Sequence, residues 1–197
     1  MDVEKLRGRL DARRRIGESG LKRAAVLVAI CVADAKPHLL LTRRTDTVPT
    51  HKGQVAFPGG GATDEDEGPH QTALREAEEE VGLDPLSVEI LGCLDDFPTV
   101  NRDTWVTPVV AVLRQKPSLE PDPNEVARIF WVSLDDLVDK KRWRREEHLL
   151  GASRWPVFYF DADGENLWGL SAYIVLQLLA LLPAGAPLAL PAPYDQT

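Results

Sequence analysis

The residues with the clearest chemical potential form a run of six, 75–80, which reads Arg-Glu-Ala-Glu-Glu-Glu. On a helix, where successive residues turn by about 100°, Glu76, Glu79 and Glu80 share one stripe of the surface, whereas Glu78 points away from it. Like charges three and four residues apart repel each other, and a shared cation removes that repulsion. Carboxylate oxygens suit Mg²⁺, Mn²⁺ or Ca²⁺ better than Zn²⁺. The pattern therefore predicts a divalent metal site, with a solvated acidic face as the alternative.

The charge of the chain is concentrated around this run. Residues 61–83 contain eight acidic residues and one basic residue, whereas the whole chain of 197 residues has 31 acidic and 23 basic residues, a formal net charge of −8. The rest of the chain is therefore almost neutral. This charge balance disfavours a protein that binds nucleic acid by attracting its negatively charged phosphate backbone.

The elements around the acidic run alternate between helical and extended patterns. We expect a helix over 69–81, because Pro69 suits a first turn and Gly82 suits a C-terminal stop. Apolar periodicity predicts further helices at 2–16, 133–140 and 167–182 and strands at 24–33, 38–42, 54–57, 87–94, 104–113, 129–132 and 157–160. These elements predict one α+β domain over 1–197, with an N-terminal helical extension at 1–20 and a ragged tail at 183–197.

The spacing around the acidic run resembles a known signature. Gly61 is followed by five residues, Glu67, seven residues, Arg75-Glu76-Ala77, one residue, Glu79-Glu80, one residue, and Gly82-Leu83. Every fixed position of the Nudix hydrolase signature is matched. The resemblance implies an α/β/α sandwich with a mixed β-sheet.

The same resemblance implies an activity and roles for the matched residues. Nudix hydrolases split diphosphate bonds with water, and their divalent ions, Mg²⁺ or Mn²⁺, would lie on Glu76, Glu79 and Glu80. Such ions neutralise the diphosphate and acidify or position a water molecule. Glu67 and Arg75 are expected to form an ion pair that ties the loop to the helix, and Arg75 would orient the neighbouring glutamates. Three glycines at 59–61 are expected to form a tight turn.

A second stretch resembles the coenzyme A pyrophosphatase branch of the Nudix family. Residues 40–45 read Leu-Leu-Thr-Arg-Arg-Thr, Gly53 follows, and residues 57–60 read Phe-Pro-Gly-Gly. The pattern departs at Thr45, where serine or alanine is usual, and at Pro49, where a second arginine is expected. The resemblance implies coenzyme A or a derivative as the small-molecule substrate. The residues predicted to bind it are Arg43, Arg44, Lys52 and Gly60, because arginine and lysine can contact its phosphates.

Other interpretations remain beside this one. The substrate could be another nucleoside diphosphate compound, such as ADP-ribose, NADH or a capped RNA end, or the chain could be a nucleotide-sensing module without activity. Glu125 is either a further metal ligand or base, or a surface acid. The basic run 140–145 is either a solvated helix end or loop, or a nucleic-acid patch. The tryptophans at 105, 131 and 168 are either core residues or platforms for a base.

Composition also predicts the compartment. Cys31 and Cys93 form no disulfide framework, and the charged N-terminus lacks the apolar segment of a secretory signal, so we expect a cytoplasmic protein. The apolar stretch 167–182 would span about 24 Å as a helix, short of the ~30 Å hydrocarbon core of a bilayer. We interpret it as a core or subunit-contact helix, which predicts no membrane association and leaves a homodimer open.

Overall fold

The computed structural model describes residues 1–12, 22–33, 36–47, 51–99, 103–150 and 153–190. The expected end of the first helix at 13–16, Pro49 and the end of the tail at 191–197 lie outside these ranges. The helices are α1 (Val3–Asp11), α2 (Pro69–Val81), α3 (Leu134–Leu137) and α4 (Gly169–Ala180). The strands are β1 (Lys22–Cys31), β2 (His38–Arg44), β3 (Val55–Ala56), β4 (Gly59–Gly61), β5 (Val88–Cys93), β6 (Phe97–Pro98), β7 (Thr104–Leu113), β8 (Val126–Ser133), β9 (Trp143–Leu150), β10 (Ser153–Ala162) and β11 (Glu165–Trp168).

The main sheet is built around β1. This strand runs parallel to β7 along its whole length. Its other edge pairs antiparallel with β4 and then with β2, so β4 is inserted beside the start of β1. β2 also pairs with β3 and β8, and β7 pairs with β5 and β6, all antiparallel. The sheet is therefore mixed, as expected for the α+β class.

Helices cover both faces of this sheet. On one face, Ala73, Ala77 and Val81 of α2 are fully buried against apolar side chains of β1 and β7. The opposite face packs against Leu6 and Leu10 of α1, against α4 and against a second sheet of three antiparallel strands in the order β11-β10-β9. The predicted α/β/α arrangement is confirmed, and the small alanines let α2 lie close to the strands that carry the site.

The helix with the acidic run has the bounds predicted from the sequence. Pro69 occupies its first turn, and Gly82 ends it in the left-handed conformation with φ +65°. A glycine adopts this conformation without the steric cost that a Cβ atom imposes. The backbone N–H groups at this end bond to the Ala77 and Glu78 carbonyls. The carboxylates at 76, 79 and 80 thus lie in the last turns of the helix.

The C-terminal apolar stretch differs from its predicted form. Its first residues form β11, which ends at Trp168, and α4 begins only at Gly169. Seven α4 residues are buried within the chain: Ala172, Ile174, Val175, Leu176, Gln177, Leu178 and Leu179. The core interpretation of this helix is therefore confirmed. Among the described helices, none is both long and apolar enough to cross a membrane.

The basic run 140–145 is neither a helix end nor a loop throughout. It forms a 3-10 turn, Lys140–Arg142, and the start of β9. Along β9, Arg144 pairs with Glu146 at 2.8 Å and Arg145 pairs with Glu147 at 2.5 Å. Four consecutive charged residues, two bases followed by two acids, hide this strand from a search for apolar patterns. These pairs also reduce the positive charge that a nucleic-acid patch would need.

The three glycines at 59–61 form β4, an extended strand, and not the expected tight turn. A Cβ atom at Gly59 would lie 2.6 Å from the Val26 Cα atom on β1, so the two backbones approach more closely than any side chain permits. We expect Gly59→Ala to lower the free energy of unfolding by about 3 kcal/mol, because backbone cannot move aside cheaply. Urea denaturation measures this.

A neighbouring glycine supplies the control for that measurement. A Cβ atom at Gly61 would have nothing within 4 Å. Gly61→Ala should therefore change the free energy of unfolding by less than about 0.5 kcal/mol. Equal losses in the two variants would contradict the close backbone contact as the cause.

Candidate active site

Arg75 lies at the centre of the hydrogen-bond network of the site, because all five N–H groups of its guanidinium have an acceptor. Nε and Nη2 donate to the two carboxylate oxygens of Asp66 at 3.3 and 3.1 Å. Nη2 also donates to the Gly61 carbonyl at 2.9 Å. Nη1 donates to Glu76 Oε1 at 2.9 Å and to Glu79 Oε2 at 3.1 Å. The Arg75 guanidinium therefore connects the loop after β4 to two of the predicted metal ligands.

The predicted ion pair between Glu67 and Arg75 is wrong, since Asp66 takes the place of Glu67. The Asp66 side chain is only 3 % exposed. Glu67 is exposed, and its backbone N–H donates to Gln71 Oε1 at 2.7 Å. Residues 64–67 are all acidic. The sequence therefore supplies a carboxylate at either position, and only the path of the loop decides which one faces Arg75.

Two further groups hold Asp66 in place. The Thr63 backbone N–H donates to Oδ2 at 2.9 Å, and Thr72 Oγ1 on α2 donates to the same oxygen at 3.0 Å. The Arg75 hydrogen bonds, followed by the one from Thr63, hold the pKa of Asp66 well below its usual range. Asp66 in turn raises the pKa of Arg75. Each residue of the pair therefore stabilises the charged form of the other.

Glu80 is the most deeply placed of the three glutamates, with its side chain 5 % exposed. Its Oε2 accepts the Gly59 N–H at 3.1 Å, and its Oε1 lies 3.5 Å from Arg44 Nη1. Burial raises the pKa of Glu80 to about 7. The Gly59 N–H and Arg44 offset part of this effect, and the charges of Glu125 and Glu76 add to it. The carboxylate thus has less positive charge around it than its burial requires.

Glu76 lies between Arg75 and the glycine strand, with its side chain 16 % exposed. A Cβ atom at Gly60 would lie 2.5 Å from the Glu76 Cδ atom. Gly60 therefore leaves room for the carboxylate against β4, which is a packing role in addition to its predicted place in substrate binding. Burial raises the pKa of Glu76, while Arg75 lowers it. Glu79, by contrast, is 60 % exposed.

The donor set of these glutamates fits a divalent cation. All donors are carboxylate oxygens, which Mg²⁺ and Mn²⁺ prefer. Glu80 is buried and Glu76 is partly buried, burial raises the pKa of both, and a cation would supply the positive charge they lack. Arg75 and Arg44 contact the carboxylates in the structure. Within the described ranges, no three His, Cys, Asp or Glu side chains already converge as a metal cluster, so a cation would compete with these arginines.

The two arginines predicted to bind substrate lie on opposite faces of β2, because neighbouring strand residues alternate. Arg44 faces α2 and Glu80. The Arg43 Nε atom lies 3.5 Å from Glu165 Oε2 on β11, and its Nη2 atom lies 3.8 Å from Asp46 Oδ2. The structure therefore brings Arg44, and not Arg43, to the carboxylates.

The remaining candidates are distributed as follows. Lys52 is exposed on the loop before β3. Glu125 is exposed on the loop before β8, and its charge raises the pKa of both Glu76 and Glu80. Trp105 is buried, as the core interpretation predicts. Trp168 stacks on Tyr159 of β10, with the rings 6.1 Å apart and 5° from parallel.

Comparison with known proteins identifies the family of this chain. Residues 21–151 match the NUDIX domain family. A protein from Photorhabdus laumondii, named uncharacterized Nudix hydrolase NudL, is 39% identical over 169 residues, which cover 84% of this chain and 87% of the relative. Nudix hydrolase 15, mitochondrial, from Arabidopsis thaliana is 36% identical over 79% of this chain and 57% of its own length.

Solved structures show the same fold. The Mycobacterium smegmatis Nudix hydrolase RenU gives a TM-score of 0.51 at 25% identity, covering 62% of this chain and 76% of RenU. A Caenorhabditis elegans Ap4A hydrolase gives 0.50 at 20% identity, covering 60% of this chain and 84% of that enzyme. The family match, the relatives and the fold agree with the arrangement of the acidic helix: this chain belongs to the NUDIX domain family and is a Nudix hydrolase.

Proposed function

We propose that this Nudix hydrolase uses Mg²⁺ or Mn²⁺ to cleave the diphosphate bond of coenzyme A or a derivative. Water would be the second substrate, and 3′,5′-ADP and 4′-phosphopantetheine, or its acylated form, would be the products. The observation that carries the reaction is that Glu76 and Glu79 share Arg75 Nη1, while Glu80 on the same helix contacts Arg44. The resemblance of residues 40–45 and 57–60 to the coenzyme A pyrophosphatase branch supports the substrate.

Glu76, Glu79 and Glu80 would hold the divalent cation. Such a cation, once bound, neutralises diphosphate charge and lowers the pKa of a water molecule. Arg75 keeps the carboxylates of Glu76 and Glu79 together through one nitrogen, Nη1. The Gly59 N–H fixes the orientation of the Glu80 carboxylate. These contacts arrange the ligands before substrate arrives, which is the form of electrostatic catalysis that phosphoryl chemistry relies on.

Arg44 is the best placed residue to contact a substrate phosphate. Its Nε atom is buried and has no hydrogen-bond partner among the described residues. A buried donor without an acceptor is unfavourable, and a phosphate oxygen would supply one. Its Nη1 atom reaches Glu80 only at 3.5 Å. Arg44 would therefore link a bound anion to the most buried carboxylate of the site.

Replacing Arg44 tests this assignment, with Arg43 as the matched control. We expect Arg44→Gln to raise KM about 10- to 100-fold, which is the range for losing a hydrogen bond to a charged group. Arg43→Gln should raise KM less than about threefold, because Arg43 is paired with Glu165 on the other face of the sheet. Steady-state kinetics with the preferred substrate measures both values. A larger effect from Arg43→Gln would contradict the assignment.

The experiment that tests the proposed function is a substrate panel in ¹⁸O-labelled water. Coenzyme A, ADP-ribose, NADH and a capped RNA are incubated with Mg²⁺ or Mn²⁺, and the products are analysed by mass spectrometry. We expect coenzyme A to give the two products above, with ¹⁸O in one phosphate. Consumption of ADP-ribose or NADH with coenzyme A intact would refute the substrate. No turnover of any compound would favour a nucleotide-sensing module.

A further inference from the structure

We propose that Asp66 is a positioning residue that fixes Arg75, and through Arg75 the carboxylates of Glu76 and Glu79, and that Glu67 does not have this role. The inference rests on the proposed diphosphatase function. It concerns a residue outside the fixed positions of the signature, which places its loop acid at Glu67.

The way Asp66 meets the guanidinium determines what the rest of the guanidinium can do. Asp66 accepts from Nε and from Nη2, so it occupies one edge of the planar group. The second Nη2 hydrogen is directed to the Gly61 carbonyl. Only Nη1 remains for the helix, and it is shared between Glu76 and Glu79. Without Asp66, the Arg75 guanidinium could rotate and form a bidentate pair with a single glutamate.

Asp66 is suited to hold Arg75 because it is itself immobilised. Its side chain is 3 % exposed, whereas that of Glu79 is 60 % exposed. Thr63 and Thr72 donate hydrogen bonds to its Oδ2 from the loop and from α2. A charge pair shielded from water is stronger than an exposed pair and is less sensitive to salt. The loop end of the network is therefore the fixed end, and the helix carboxylates are positioned from it.

Three matched variants compare the acids of this loop. Asp66→Asn, Glu67→Gln and Glu65→Gln each remove one negative charge from neighbouring positions, and Glu65 and Glu67 are both exposed. We expect Asp66→Asn to lower kcat about 10- to 100-fold, the usual range for a residue that orients metal ligands. KM should change less than about threefold, and Glu67→Gln should resemble Glu65→Gln. A loss in Glu67→Gln as large as that in Asp66→Asn, or no loss in Asp66→Asn, would overturn the proposal.

A double-mutant cycle separates positioning through Arg75 from a general structural effect. In an Arg75→Gln background, Asp66→Asn should cause less than about threefold further loss of kcat, because the residue through which it acts is already gone. A further loss equal to that seen in the wild-type background would overturn the proposal. Asp66→Glu, which keeps the charge, should have at least about ten times the turnover of Asp66→Asn, and equal turnover would count against the proposal.

A measurement without turnover keeps this role distinct from the proposed function. The ¹H–¹⁵N signal of Arg75 Nε–H is assigned by its loss in Arg75→Gln. We expect Asp66→Asn to move this signal and speed its exchange with water, and Glu67→Gln to leave it in place. An unmoved signal in Asp66→Asn, or an equal shift in Glu67→Gln, overturns the proposal. If Asp66→Asn does not fold, Glu67→Gln decides by itself, because a shifted Arg75 signal in that variant contradicts the proposal. A wild-type protein that cleaves no diphosphate would refute the function, while this signal would still decide the role of Asp66.

Discussion

Glu80→Gln is expected to lower kcat by about 10³-fold or more, and Glu76→Gln is expected to lower kcat by nearly as much. Each substitution keeps the size of the side chain and removes one negative charge from the proposed cation site. Cation stabilisation of developing charge contributes several kcal/mol to such reactions, and each 1.36 kcal/mol corresponds to a tenfold change in rate. Because burial raises the pKa of Glu80 to about 7, its ionised form weakens the fold at higher pH, so Glu80→Gln should not lower Tm.

The matched control for both variants is Glu78→Gln. Glu78 lies on the same helix and carries the same charge, but its side chain is exposed and belongs to none of the contacts of the site. Turnover at saturating Mg²⁺, with Tm measured on the same samples, should change less than about threefold in Glu78→Gln. Unchanged turnover in both Glu76→Gln and Glu80→Gln, or an equal loss in Glu78→Gln, would refute the assigned roles.

Gly60→Ala is expected to lower kcat about 100-fold while the fold survives. The new methyl group would occupy the space of the Glu76 carboxylate, since the nearest atoms to a Cβ at this position all belong to that side chain. The Glu76 carboxylate is the end of a flexible side chain and can move away from the new methyl group. The substitution should therefore displace the carboxylate and lower kcat, with little change in the free energy of unfolding. A displacement of about 1 Å in a catalytic group can cost about 10²-fold in rate.

Gly61→Ala is the natural comparison for the stability part of this prediction, because a methyl group there meets open space. We expect Gly60→Ala and Gly61→Ala to unfold at similar urea concentrations, and Gly59→Ala to unfold earlier. Full activity in Gly60→Ala would show that Glu76 does not need the position it has beside β4. A loss of stability as large as that of Gly59→Ala would show that the substitution acts on the sheet.

Local signals predicted the helix that carries the site. Pro69 and Gly82 mark its two ends through backbone preferences that tertiary contacts did not override. β7 could be predicted from the sequence equally well, because most of its residues are apolar and are buried on both faces of the sheet. In contrast, β4 consists of glycine alone and has no side-chain pattern, and the centre of β9 reads Arg-Arg-Glu-Glu, which has no apolar alternation. The sequence of the second sheet does contain a hairpin signal, because Asp163-Gly164, both with positive φ, form the turn between β10 and β11.

Within the site, spacing predicted the acidic helix but not its surroundings. The stripe of Glu76, Glu79 and Glu80 follows from helix geometry alone, and the structure adds that their exposure differs widely. The choice between Asp66 and Glu67 depends on how a loop turns, and a run of equal charges does not encode it. The separation of Arg43 and Arg44 could have been predicted, because adjacent residues of a strand face opposite sides.

The most direct test of the account is a Mn²⁺ titration followed by electron paramagnetic resonance. Wild-type protein is compared with the double variant Glu76→Gln/Glu80→Gln, each with and without coenzyme A. We expect the wild type to bind Mn²⁺ more tightly when coenzyme A is present, and the double variant to lose at least about 100-fold in affinity. Equal binding by the two proteins, or no binding by the wild type with coenzyme A present, would contradict the claim that these glutamates hold the ion that cleaves the diphosphate.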